Sequence, residues 1–313
     1  MSDPILVQVV RNGFVESVHH ARVVLTDPDG RVAESWGEVD VPMFPRSSMK
    51  PLQAVGMLRA GLDLDGELLA LAAASHSGEW FHRDGARRIL AGCGLTETAL
   101  QCPADNPLDD QAKIDWIRDG HQPEPLAMNC SGKHAAMLRT AVRNGWSTLD
   151  YRDPAHPLQL AIRVAIDDLT GETSSHPAVD GCGAPLFAVS LSGLARSFGR
   201  IAAASAGPQA LLAAAYRAHP EWASGTNRDE VRLHRAIDGL ICKAGAEAVY
   251  AVGLADGRGI AVKIADGYAR ARTPLMAAVL QRLGFEHEEL DRQAHQPVLG
   301  HGETVGEIVA MTL

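Results

Sequence analysis

Basic runs are missing from this sequence. Its 29 Lys and Arg residues are scattered, 38 Asp and Glu outnumber them, and the formal net charge is −9. With no aromatic residues interleaved among the basic ones, an electrostatic grip on nucleic acid is excluded. Long apolar runs are missing too. Even Leu68 to Ala74 falls far short of the roughly 20 residues of a membrane span. The opening Met1-Ser2-Asp3-Pro4-Ile5 has neither the basic start nor the apolar stretch of a secretory leader. Cysteine is scarce, and Cys93, Cys102, Cys130, Cys182 and Cys242 are odd in number and far apart. That argues against a disulfide framework and fits a reducing cytoplasm. The remaining profile is a soluble cytoplasmic protein of 313 residues, long enough to bury a large core.

The pattern along the chain predicts strands at both ends. Ile5 to Val10 and Phe14 to Thr26 are rich in branched residues. Asp27-Pro28-Asp29-Gly30 is a turn, with Arg31 to Val39 returning as hairpin partner. Apolar spacing then predicts helices over 49–60, 66–74, 83–91, 111–118, 133–144, 158–169, 185–198, 209–218 and 229–240. Sheet character returns over 248–254 and 259–264, around the turn Ala255-Asp256-Gly257-Arg258. A helix over 274–283 precedes a closing apolar segment over 304–313. The expected fold is a single α/β domain over 1–313: an antiparallel-rich sheet built from both chain ends, covered by helices, with a mostly helical inserted region.

Ser47 and Lys50 stand three residues apart where a helix should begin, with Pro51 suited to its first turn. A serine hydroxyl becomes a nucleophile when a base takes its proton, and a lysine is such a base when neutral. The helix start and neighbouring Arg46 both favour the neutral amine. Read alone, the same residues describe a serine cap and a surface lysine. Likewise, Cys130 and Cys182 taken alone read as packed thiols, although Gly181 and Gly183 place Cys182 on a tight, accessible turn.

The motifs taken together say more. Arg46-Ser47-Ser48-Met49-Lys50-Pro51-Leu52-Gln53 resembles the nucleophile segment of the rhizobial-type L-asparaginase II family, whose fold is similar to that of serine β-lactamases and penicillin-binding proteins. Ala74-Ser75-His76-Ser77-Gly78-Glu79, Asn129-Cys130-Ser131-Gly132-Lys133-His134, Asp180-Gly181-Cys182-Gly183 and Val262-Lys263-Ile264-Ala265-Asp266-Gly267 follow in the family's order. The opening Arg11-Asn12-Gly13-Phe14-Val15-Glu16 resembles the family as well.

The resemblance implies hydrolysis of L-asparagine to aspartate and ammonia through a serine acyl-enzyme. It implies a second pair, Ser75 with Lys263, beside Ser47 with Lys50. It also implies zinc held by Cys130, Lys133 and Cys182, and a homodimer. Ser47 is the expected nucleophile, because a helix start also supplies amide donors for an oxyanion, with Ser75 as its rival. For substrate binding, Asp180 suits an ammonium, Arg46 a carboxylate, and His134 a metal ligand or a water. Cys93, Cys102 and Cys242 have no counterpart in this scheme and are left as structural.

Three alternatives remain open: a glutaminase, a penicillin-recognising serine hydrolase, and a zinc-stabilised amino-acid-binding protein without turnover. Against the second, Lys263-Ile264-Ala265 is not Lys-Thr-Gly.

Overall fold

The computed structural model describes residues 3–313. Residues 1 and 2, which open the segment considered above for a leader, lie outside the described residues. The chain divides into two compact units, each assembled from separate stretches. The first comprises Met1–Ser48, Val189–Ala203 and Arg232–Leu313, and the second Met49–Ala188 and Ala204–Val231.

The strands are β1 (Ile5–Arg11), β2 (Phe14–Thr26), β3 (Val32–Trp36), β4 (Ser175–Val179), β5 (Pro185–Ala188), β6 (Ile241–Gly245), β7 (Val249–Gly253), β8 (Gly259–Ile264), β9 (His295–Gly300) and β10 (Glu303–Ala310). The helices are α1 (Lys50–Arg59), α2 (Gly66–Ala72), α3 (Trp80–Ala91), α4 (Asp110–Arg118), α5 (Ser131–Arg143), α6 (Pro157–Thr170), α7 (Leu191–Ala202), α8 (Gly207–Ala218), α9 (Pro220–Ala223), α10 (Asp229–Ala236), α11 (Arg272–Arg282) and α12 (Glu288–Ala294).

The first unit is built on one antiparallel sheet in the order β6-β7-β8-β2-β1-β10-β9, with β3 also paired to β2. Strands from both chain ends meet in it, as the sequence predicts. The β1–β2 hairpin turns through Asn12 and Gly13, both at positive φ (47° and 78°). The Asn-Gly pair tolerates that geometry, which matches the twist of the flanking strands. The two predicted turns also form: Asp27 N–H donates to Arg31 O, and Leu254 N–H to Arg258 O.

On one face of the sheet, Val7, Val9, Val23, Tyr250, Val252, Ile260 and Val262 pack with Leu275, Met276, Val279 and Leu280 of α11. Helix α7 covers the other face. It lies so near that a Cβ added at Gly253 or Gly259 would run into the backbone oxygens of Phe198 or Ala195. Sheet and helix meet there backbone to backbone. The β8 segment is therefore buried along almost its whole length rather than alternating.

The second unit is helical apart from the short pair β4–β5. Helix α1 packs on α6, α3 on α5, and α2 on α8. Residues 50–57 of α1 and 131–138 of α5 are continuously buried, so both helices run through the interior. None of the helices among the described residues is long and apolar enough to cross a membrane.

The structure corrects several predicted elements. The helix expected over 185–198 is divided. Pro185–Ala188 is a strand, and Ser190 caps α7 by accepting from Gly193 N–H. The helix expected over 229–240 stops at Ala236, and a turn with Gly239 at φ 75° leads into β6. Strands β4, β6 and β9 and helix α12 carried no sequence prediction. A Gly259→Ala variant should lose about 3 kcal/mol of stability by overpacking α7 against the sheet. Urea unfolding of the variant beside wild type measures that loss.

Candidate active site

A 3₁₀ turn, Arg46–Met49, runs straight into α1, with Pro51 in its first turn. Ser48 closes the turn, its Oγ donating to Pro45 O at 2.6 Å. Lys50 is 1% exposed. Its Nζ reaches Ala74 O at 2.7 Å, Ser75 Oγ at 2.8 Å and Cys130 Sγ at 3.0 Å. An ammonium has three hydrogens, and here each has an acceptor. The surface-lysine alternative for Lys50 is thereby overturned. Ser75 lies just beyond α2, in a segment that leaves the helix at Ala73 and Ala74.

Beyond Cys130 lies a buried polar cluster. Lys133 Nζ donates to Cys182 Sγ at 3.1 Å, and Cys182 and Cys130 share a hydrogen bond. That bond, helped by Lys133 and His134 against the cost of burial, holds the Cys182 thiol far below its ordinary pKa. The same bond together with burial pushes Cys130 well above. The two shifts run in opposite directions, so Cys182 is the more acidic thiol of the pair, while Cys130 Sγ also donates to Asn129 Oδ1 at 3.0 Å. Burial opposes the Lys133 ammonium, yet the sulfurs and Asp180 outweigh it and raise its pKa. Cys182 was expected on an accessible turn; it is 1% exposed. Gly183, at φ 84°, lets the backbone turn while the thiol points inward.

His134 is fully buried, and Nδ1 meets Tyr151 Oη at 2.7 Å. Tyr151 Oη already accepts from Gln101 N–H at 3.1 Å. His134 Nε2 lies on the opposite edge of the ring. That nitrogen makes no hydrogen bond of normal geometry. Burial lowers the His134 pKa, and the Cys182 sulfur acts in the opposite direction. Tyr151 and Cys102 border this cluster without having been singled out in the sequence. Burial, with Cys182 nearby, pushes the Cys102 thiol up to about 11. Asp180 is half-buried, its Oδ2 3.8 Å from Cys182 Sγ.

In the sheet unit, Arg46 sits at φ 52°, with its guanidinium 4.0 Å from Glu247. Gly245 is pressed against the same turn: a Cβ there would lie 2.5 Å from Pro45 O and 3.1 Å from Ser48 N. Ser47 is half-buried, its amide 3.4 Å from that Cβ position. Lys263 Nζ donates to Glu247 O and Ile264 O, both at 2.6 Å. Burial lowers its pKa, while Glu247 and Asp266 act to raise it. The resemblance couples Ser75 with Lys263. In the structure Ser75 Oγ accepts from Lys50, and Lys263 binds two carbonyls.

Lys243, absent from the sequence reading, is 1% exposed on β6, and Nζ donates to Ala244 O at 3.1 Å. It stands two residues before Gly245, hence on the same sheet face. A lone lysine within the apolar run Ile241 to Gly245 was the available signal, since buried lysines are rare. The chain has only five lysines, at 50, 113, 133, 243 and 263. Three of them are buried and Lys263 is half-buried.

The sequence model of a family described as L-asparaginase II matches residues 7–310. The chain belongs to the L-asparaginase II family. Each of the motif segments above lies within the matched span. No curated protein matches the chain. Among solved structures, Mglu in its native form is 14% identical over 84% of this chain and 63% of its own, with a TM-score of 0.46. Mglu in its glutamate form is 12% identical over 85% and 61%, at 0.48. This family member thus spans somewhat under two thirds of the length of those proteins. A beta-lactamase from Mycobacterium bovis is 12% identical over 84% and 94%, at 0.41.

As for metal, no three His, Cys, Asp or Glu side chains among the described residues converge closely enough to hold an ion. Cys130, Lys133 and Cys182 do converge, and two sulfurs with an amine form a donor set that a soft cation accepts. The set fits zinc on the condition that Lys133 gives up its proton.

Close by, His82 stacks on His76, with centroids 5.0 Å apart and planes at 16°. Burial lowers the His82 pKa to about 3. Its unfolded counterpart titrates near 6.5, so the unfolded chain binds more protons between those values. Stability is therefore complete above pH 6.5 and declines as pH falls toward 3, by up to about 1.4 kcal/mol per pH unit from this residue. Urea unfolding across that range should show a shallower decline for His82→Gln than for wild type.

Proposed function

We propose that this chain hydrolyses the side-chain amide of L-asparagine, releasing ammonia and aspartate through a serine acyl-enzyme. The family membership supports an amide hydrolase. The observation that carries the chemistry is the buried Lys50 amine bonded to Ser75 Oγ at 2.8 Å. Ser47 Oγ attacks the amide carbon while its proton passes to the Lys50 amine, which must first be neutral. Collapse of the tetrahedral intermediate breaks the C–N bond, and the Lys50–Ser75 pair returns the proton to the departing ammonia. Water then cleaves the ester and restores Ser47.

Amides at the 3₁₀ turn, against which Gly245 is pressed, are the oxyanion donors in this reading. Arg46 takes the substrate carboxylate and Asp180 its ammonium. His134 acts from behind, steadying Cys182. The 2.8 Å contact favours a second reading, in which Ser75 is acylated. For the second amine, the resemblance points to Lys263. The burial of Lys243 on the face of Gly245 favours that lysine as the alternative.

Zinc, when bound, would be held by Cys130, Lys133 and Cys182. It would supply Lewis-acid polarisation of substrate oxygens at a remaining position. Purified protein should then contain about one zinc per chain by elemental analysis. Cys130→Ala and Cys182→Ala should contain little, and binding should weaken as pH falls, because Lys133 must lose its proton. Wild type without zinc in every preparation would remove the metal from this reading.

Ammonia release from asparagine and glutamine tests the rest. Ser47→Ala should lose about 10³-fold or more in kcat, and Ser75→Ala about 10²-fold. Asparagine should exceed glutamine by about tenfold or more in kcat/KM, since one methylene is a modest discriminator. Of Lys243→Ala and Lys263→Ala, the one with the larger loss identifies the second amine. An acyl adduct on the Ser75 peptide would transfer the nucleophile to Ser75. No ammonia at any pH, with or without zinc, would sink the hydrolase reading.

A further inference from the structure

We infer that His76 is a positioning residue: it locks the Ser75 segment to the start of α5 and thereby sets the geometry of the Lys50–Ser75–Cys130 cluster. The inference rests on the reading of that cluster as the reactive site.

His76 ties two segments together. Its backbone N–H donates to Asn129 O at 3.0 Å. Its Nδ1 accepts from Gly78 N–H at 3.1 Å, which leaves the ring hydrogen on Nε2. Nε2 then donates to Ser131 Oγ at 2.9 Å. Residues 76–78 are thus fastened to residues 129–131 through both backbone and side chain. From the other side, Lys50 fastens the same two segments through Ser75 Oγ and Cys130 Sγ. The frame is closed: Ser75 and Cys130 share one lysine, and their neighbours His76 and Ser131 meet through one imidazole. The imidazole side of the frame is closed to solvent, since His76 and Ser131 are each 0% exposed and His76 is stacked on His82.

Two further bonds anchor the loop independently. Ser77 N–H donates to Ser224 O at 2.7 Å, and Asp109 N–H to Ser77 O at 2.9 Å. Removing the His76–Ser131 bond therefore leaves the loop attached while freeing Ser75 to shift. A shift of that kind costs turnover more than affinity, because reacting groups must hold near-attack geometry.

The test uses full-length Ser131→Ala, which deletes the acceptor and leaves the imidazole in place, beside His76→Ala and His76→Gln. In Ser131→Ala, kcat for asparagine should fall about tenfold with KM within about twofold of wild type. His76→Ala, if folded, should lose more, and His76→Gln, whose amide can donate to Ser131, should recover part of that loss. A second readout needs no activity. With ¹⁵N-lysine labelling only five side-chain signals arise, and the Lys50 Nζ signal, assigned through Lys50→Arg, should move in Ser131→Ala. An unmoved Lys50 signal, or equal changes in kcat and thermal stability with no split from KM, would overturn the inference. If wild type releases no ammonia, the proposed function fails, and the Lys50 signal alone decides the role of His76.

Discussion

One buried ammonium organises the helical unit. Lys50 presents three hydrogens to three acceptors that come from two segments distant in sequence. A charge so deeply placed is tolerated only when its hydrogens are all met, since desolvating an unpaired cation is very costly. The constraint runs both ways. Helix α1 must deliver the lysine from its first turn, α2 must end early enough to turn the Ala74 carbonyl and Ser75 inward, and α5 must begin at Cys130. The lengths of three helices are thus tied to one side chain.

A second buried cation, Lys133, repeats the principle with sulfur. Here the partner is the Cys182 sulfur, the more acidic of two neighbouring thiols. The cluster reaches the first lysine through Cys130, whose Sγ accepts from Lys50 and donates to Asn129 Oδ1. Cys130 is therefore the link between the Lys50–Ser75 pair and the thiol cluster, a role that its place in the motif gives no hint of.

The broad fold was readable from strand patterns at the two ends and helical spacing between them, and the Asp27–Gly30 and Ala255–Arg258 turns formed as their residues dictate. Short elements escaped. β6 is five residues long and was hidden by the helical spacing that precedes it, while Pro185 to Ala188 merged with the helix that Ser190 begins. At the site, Ser47 and Lys50 were legible because one helical turn separates them in sequence. The Lys50–Ser75 bond was not, because it depends on where α2 stops, and apolar spacing continues past that point to Ala74. Cys182 was misjudged for a related reason: flanking glycines report that the backbone turns, not which way the side chain faces. Lys243 was missed because burial of a charge is a property of the packed sheet, and β6 itself had not been recognised.

The scarcity of lysine has a practical corollary. Arginine supplies most of the positive charge, and it cannot serve as a base because it does not give up its proton. Lys113, on α4, is the exposed lysine among the five. Reagents that couple to side-chain amines would therefore attach chiefly at one point on the helical unit and leave its interior amines untouched. Among the side chains, Lys113 is then the preferred point for a tether or a dye.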